Sequence, residues 1–259
     1  MTRRAPRAVG STRPAPPTNG VNDVTPAILA SVRAASCIIL GPRRRNVELT
    51  WYGMSCFRMV ERGLATVVTD PFDSSVGLPA PKLKADIVTV SHDAPGHNNL
   101  AAVKGERRVI QGPGEYEIGG VFVTGIAMNA PAKGNGARPN TLYVFDFDGL
   151  TVVHLGDLAF VPSQPQIEDL GTVDVALVPV GGGSALNPAQ AAEVISLIEP
   201  KLVVPMHYKS GKETLKLGPA SRFLSEMGIN SLEPIDVLKV TKGALSEETQ
   251  VVLLERAES

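Results

Sequence analysis

Cysteine, histidine and aromatic side chains are scarce in this chain, and each shortage removes a class of protein. The two cysteines, Cys37 and Cys56, are too few for a disulfide framework or a cysteine-rich zinc cluster, so a reducing cytoplasm is the expected compartment. No apolar run approaches the roughly 18 residues that cross a bilayer, so no membrane association is expected. The best candidate, "AILASVRAASCIIL" at 27–40, is broken by Arg33, which argues against a signal peptide as well. Aromatics make up 5% of the sequence while aliphatic residues abound, a balance that fits an α/β protein rather than a fibrous or disordered one. The net charge is only −1, but it is unevenly spread: residues 1–46 carry eight arginines against one aspartate, a net +7, which leaves −8 for the rest. A mildly acidic body argues against a core that binds nucleic acid.

What is present falls into two parts. Residues 1–22, rich in Arg, Pro, Gly, Ser and Thr, read as disordered, and a helix start at Thr25-Pro26 predicts a short helix over 25–40. The expected division is a basic N-terminal extension over 1–46 and one domain over 47–259. From Val47 onward short apolar segments follow one another: "VELTWYG", "SCFRMVER", "ATVVTDPF", "ADIVTVSH", then "RRVIQGPGEYEIGGVFVTGIA" broken by glycines. "TLYVFDFDGLTVVHLGD" predicts a hairpin turning at Asp148-Gly149. Beyond it strands and helices alternate. "VDVALVPVGG" and "KLVVPMHY" are strands covered on both faces, and "NPAQAAEVISLIEP" is a helix with Asn187 as N-cap and Pro188 in its first turn. "PASRFLSEMG" predicts a second helix and "QVVLLER" a last strand. The pattern implies two stacked sheets with helices outside.

All four histidines sit at or near strand ends: His92 and His97 after "IVTVS", His154 before "LGD", and His207 after "KLVVPM". Asp70 and Asp157 close strands in the same way. Strand ends of a covered sheet are where α/β proteins assemble their sites. His154 and Asp93 read as structural or solvated residues, and Asp70 as a loop-fixing acceptor. Glu115 and Glu117 read as turn residues of a glycine-rich segment. "PVGGGS" is open to two readings, close packing or an anion-binding turn.

These segments, in this order and spacing over residues 47–256, resemble the metallo-β-lactamase fold. Within it they look like the Zn-dependent hydrolase-like proteins related to ascorbate-phosphate lactonases. The resemblance implies a four-layer αββα sandwich of two mixed β-sheets with outer helices. It also implies a metal site whose signature is a strand-end His-x-His-x-Asp-His, a separate His, an Asp after "LG" and a late His. His92 and His97 match the first and last cluster histidines, Asp157 the shared Asp, and His207 the late His. Ala94, Gly96 and Asn129 stand where the second His, the cluster Asp and the separate His are expected, and Met54 where relatives often carry His. The implied ligand set is His97, Asp157 and His207 for one zinc ion or none. His92 stands beside it as a further ligand or orienting group, and Asp157 and His92 are the expected catalytic residues. The expected activity is hydrolysis of a small ester, lactone or phosphorylated substrate. The alternative is a non-catalytic member that uses the cleft for a ligand or partner. Assembly into a homo-oligomer is a further expectation, drawn from the family.

Overall fold

The computed structural model describes residues 46–130 and 138–258, together with the backbone of Arg33 and Ala34. In chain order the first strands are β1 (Arg33–Ala34), β2 (Val47–Gly53), β3 (Cys56–Val60), β4 (Val67–Thr69), β5 (Leu83–Lys84), β6 (Ile87–Val90), β7 (Val103–Lys104) and β8 (Arg108–Gln111). They are followed by β9 (Gly114–Ile118), β10 (Val121–Ala127), β11 (Thr141–Phe147), β12 (Leu150–His154), β13 (Val175–Pro179), β14 (Leu202–Met206), β15 (Leu238–Val240) and β16 (Gln250–Val251). Three helices, α1 (Gln164–Glu168), α2 (Pro188–Ile198) and α3 (Ala220–Glu226), lie between β12 and β15 in the chain.

The strands form two large mixed sheets, one ordered β1-β16-β14-β13-β12-β11-β10-β9 and the other β15-β2-β3-β4-β6-β8. Alternation decides what lies between them. Val67 and Ile87 belong to the main core, whereas their neighbours Val68 and Val88 belong to a second apolar cluster on the opposite face of β4 and β6. That outer cluster is roofed by loops, by turns at Ser74–Val76 and Leu100–Ala102, and by a small parallel sheet of β5 and β7. The expected sandwich of mixed sheets is therefore present, with all three α-helices following strands of the larger sheet.

Local chemistry accounts for the elements. β13 and β14 are buried at every residue, as continuous apolar runs in a covered parallel sheet require. Helix α2 starts where Asn187 accepts from the Gln190 N–H at 3.0 Å and the Gln190 side chain accepts from the Asn187 N–H at 3.1 Å. The hairpin β11–β12 turns at Asp148 and Gly149, both with positive φ (51° and 91°), the conformation this turn type demands.

The expectations for 1–32 and 35–45 lie outside the described residues. Where the helix over 25–40 was expected, Arg33 and Ala34 instead extend and pair in parallel with Gln250 and Val251. The open edge of β16 offers backbone partners there, which a helix would leave unused. No helix among the described residues is long and apolar enough to cross a membrane.

Candidate functional site

Strand direction brings the polar residues together. β4 and β6 run parallel in one sheet, and β12, β13 and β14 run parallel in the other, so Asp70, His92 and His97, and Asp157 and His207 follow strand ends of the same sense within each sheet. The Thr141 N–H donates to the Ser91 carbonyl at 2.8 Å, which ties the start of β11 to the end of β6. Each of these five residues lies beyond the last ladder residue of its strand. His154 is still inside β12, opposite Tyr143 and Leu177, and points into the core. Its Nδ1 accepts from the Gly156 N–H at 3.2 Å, which leaves Nε2–H to donate to the Ser55 carbonyl at 2.9 Å. Its structural reading stands.

Asp157 is the centre of the cluster. His97 Nε2 lies 3.5 Å and His207 Nε2 3.4 Å from its Oδ1, and His92 Nε2 lies 3.9 Å from its Oδ2. One ligand atom from each of His92, His97 and Asp157 lies within 4.8 Å of the others. The imidazoles of His92 and His97 are 4.2 Å apart between centroids, and those of His97 and His207 5.6 Å. Asp157 is fixed from behind: its N–H donates to Asn140 Oδ1 at 2.9 Å, and the Ser184 hydroxyl donates to its Oδ2 at 2.6 Å. Asp157 Oδ1 and both ring nitrogens of His207 are buried without a hydrogen bond. Buried polar atoms are rarely left so, and Asp157 Oδ1 and His207 Nε2, 3.4 Å apart, call for a shared partner.

The tautomers follow from the network. Asp70, wholly buried, accepts from the Ser91 N–H at 2.7 Å and from the Ser91 hydroxyl at 2.6 Å. The hydroxyl proton being used, Ser91 Oγ accepts from His92 Nδ1–H at 3.0 Å, and Asp70 Oδ2 accepts from His97 Nδ1–H at 2.9 Å. Both imidazoles therefore turn their Nε2 lone pairs toward Asp157 when neutral. Asp70 is indeed a loop-fixing acceptor, and it also orients the two histidines.

Charge is distributed unequally. Burial alone would raise the Asp157 carboxyl, but His207, His97, the Ser184 hydroxyl and His92 together hold it well below the usual carboxylate range. Burial alone would lower the His97 imidazole, yet Asp157 and then Asp70 raise it. Burial, then the neighbouring His97, lowers both His92 and His207. The arrangement favours one imidazolium, at His97, between two carboxylates.

The other sequence-predicted positions do not join the cluster. Asp93 is exposed and accepts from the Asn98 side chain. Gly96 has φ +98°, and a Cβ there would meet Val76 Cγ1 at 3.1 Å rather than the cluster. Asn129 is exposed and accepts from the Asn140 N–H at 3.2 Å, while its neighbour Met128 faces the cleft. Met54 is buried, and its carbonyl receives the His207 N–H at 2.9 Å and the Trp51 Nε1–H at 3.0 Å. Glu115 and Glu117 are exposed on the edge strand β9. In "PVGGGS" packing governs Gly181, whose absent Cβ would lie 2.2 Å from the His207 carbonyl oxygen. Above the cluster opens a cavity of about 460 Å³, whose walls include His92, Ala94, Met128, Arg138, Ser184 and Leu215. Sequence reasoning passed over Ser91, Arg138 and Asn140, which carry no motif of their own, and singled out Ser184 only as the end of "PVGGGS"; all four reach the cluster through the fold.

The family model of the beta-lactamase superfamily domain matches residues 48–207, an interval that contains His92, His97 and Asp157 and ends on His207. A UPF0173 metal-dependent hydrolase of Methanoculleus marisnigri is 33% identical over 186 residues, spanning 62% of this chain and 81% of its own. Another of that name from Thermococcus onnurineus is 27% identical over 193 residues, spanning 63% and 85%. Among solved structures, a candidate Zn-dependent hydrolase of the metallo-β-lactamase superfamily from Thermotoga maritima is 37% identical. It superposes with a TM-score of 0.66, covering 81% of this chain and all of its own.

Proposed function

The chain belongs to the β-lactamase superfamily as a metal-dependent hydrolase, and from that premise we propose that it works through one metal ion held by His97, Asp157 and His207. The substrate class is a small ester, lactone or phosphorylated molecule. The observation that carries this reading is the convergence of His97 Nε2 and His207 Nε2 on Asp157 Oδ1, at 3.5 and 3.4 Å. Donors around a tetrahedral zinc with bonds of about 2 Å stand about 3.3 Å apart, which the two distances to Asp157 Oδ1 match. Two imidazoles and a carboxylate, with a position left open, are a zinc-type donor set. A second ion lacks donors. Ala94 and Gly96 supply none, the Asn129 oxygen is engaged by the Asn140 N–H, and the Asp157 oxygen that could bridge is engaged by Ser184.

When bound, such an ion supplies Lewis-acid polarisation of a carbonyl or phosphoryl oxygen and of a water. The remaining chemistry belongs to the chain. Asp157 fixes negative charge between His97 and His207 and keeps both Nε2 atoms turned inward. His92, at the cavity wall with 16% side-chain exposure, is kept as the Nδ1–H tautomer by Ser91, so its Nε2 is free to accept a proton from water and later return it to the leaving group. Burial favours the neutral imidazole that this base role needs. The replaced ligands at 94 and 96 favour a second reading, a member that binds a ligand in the cleft without turning it over.

Metal content of the full chain prepared without chelator, measured beside hydrolysis of 4-nitrophenyl acetate and bis(4-nitrophenyl) phosphate, separates the two. The expected result is close to one zinc per chain with turnover, both lost in His97→Ala and His207→Ala. Zinc uptake without hydrolysis of either compound would leave the binding reading, and no zinc uptake at all would remove the metal site.

A further inference from the structure

Among the described residues, the cavity above Asp157 is walled largely by apolar groups, Met128, Ala130, Pro139 and Leu215 among them, and Arg138 is the only lysine or arginine that lines it. Its backbone is anchored on both sides. The Ala130 N–H donates to the Arg138 carbonyl at 3.1 Å, and two residues later Asn140 holds the Asp157 N–H. One guanidinium nitrogen donates to the carbonyl of Ser184, the residue whose hydroxyl binds Asp157 Oδ2 at 2.6 Å. Arg138 thus stands one residue's width from the reaction centre, on the cavity wall. No carboxylate pairs with it among the described residues: Asp157 is turned to the imidazoles and Ser184, and Asp93 accepts from Asn98. A guanidinium carries five N–H donors in a planar fork that matches carboxylate and phosphate oxygens, and only one of its nitrogens is committed here.

We propose that Arg138 is the specificity-determining residue of the cleft, taking an anionic group of the substrate, a carboxylate or a phosphate, while the substrate's apolar part rests on Met128 and Leu215 and its ester or lactone group reaches Asp157. The inference rests on the hydrolase reading above and narrows its substrate class to anionic molecules of cleft size. A cation beside an apolar wall suits one such group at the end of a short chain. Charge-assisted hydrogen bonds of this kind correspond to about a tenfold gain in affinity or more.

The test is calorimetric titration of the zinc-equilibrated full chain with butyrate, glutarate and 4-phosphonobutyrate, three acids that share one carboxylate and differ in the second anionic group. Wild type is expected to bind glutarate or 4-phosphonobutyrate about tenfold more tightly than butyrate, and the stronger of the two identifies the group recognised. Arg138→Gln is expected to bind all three alike, with an unchanged thermal unfolding curve by circular dichroism as the sign of an intact fold, and Arg138→Lys to keep part of the preference. Equal affinities in wild type, an undiminished preference in Arg138→Gln, or no binding of any of the three overturns the inference. Turnover is read separately with 4-nitrophenyl acetate. Hydrolysis without anion preference removes Arg138's role and leaves the hydrolase; anion preference without hydrolysis does the reverse.

Discussion

At the scale of single residues the site is a set of charges held in fixed directions. Asp70 touches no part of the cavity, yet through one carboxylate it receives Ser91 and His97, and through Ser91 it also directs His92. Orienting carboxylates of this type commonly matter by 10–100-fold in metal affinity, and that loss is expected of Asp70→Asn. The same substitution has a signed effect on pH dependence. Asp70 helps to raise the His97 imidazole, so in wild type the proton competes for Nε2 from a higher pH than at an ordinary histidine. With the carboxylate gone that competition begins lower. Zinc titrations against a chromophoric chelator between about pH 5 and 8 should therefore show weaker binding at neutral pH and an acid midpoint moved downward. An unmoved midpoint would mean that Asp70 acts on packing alone.

At the scale of elements, strand ends and turns place those residues. His207 follows β14 with φ 51°, and it is clasped by the Met54 carbonyl on one side and the Gly181 N–H on the other. Gly181 is required there because the ends of β13 and β14 approach too closely for a side chain, its Cβ falling 2.2 Å from the His207 oxygen and 2.8 Å from Tyr208 Cα. Gly181→Ala should displace the His207 backbone, cost about 1–3 kcal/mol of stability and weaken zinc binding. Chemical denaturation and metal titration on the same preparation test both effects, and full metal affinity in a destabilised variant would dissociate them. The elements also show how far local patterns reach. The periodicity and caps of α2, the Asp148-Gly149 hairpin and the apolar runs of β13 and β14 could all be read directly. Helix α1 has one buried residue in five and β15 spans three residues, too little for any period to show, and both are held by tertiary partners.

At the scale of the molecule the two sheets meet at the site: β4 and β6 contribute Asp70, His92 and His97, and β12 and β14 contribute Asp157 and His207. An ion shared among them ties one sheet to the other. Zinc at about 100 times its dissociation constant should stabilise the folded state by about 2.7 kcal/mol, which raises the melting temperature by roughly 5–10 °C for a domain of this size. Removal of metal with a chelator should reverse the shift, and His207→Ala should abolish it. Equal melting temperatures with and without zinc would show that the sheets need no such tie.

The sequence alone determined the order of the longer strands and of helices α2 and α3, the burial of the parallel strands, and the placing of His92, His97, Asp157 and His207 after strand ends, because propensity, periodicity and turn chemistry act over a few residues. The family resemblance implied through Ala94 and Gly96 that two ligands are replaced, though not that Gly96 turns toward Val76 in a backbone conformation other residues resist. His154 read as structural from the sequence, but only the tertiary structure put it in the core and decided that its neighbours in the pattern converge on Asp157. It alone brought Ser91, Arg138, Asn140 and Ser184 to that cluster. Apart from Ser91 to His92, those contacts join residues far apart in the chain, and sheet order sets them, which no local pattern encodes.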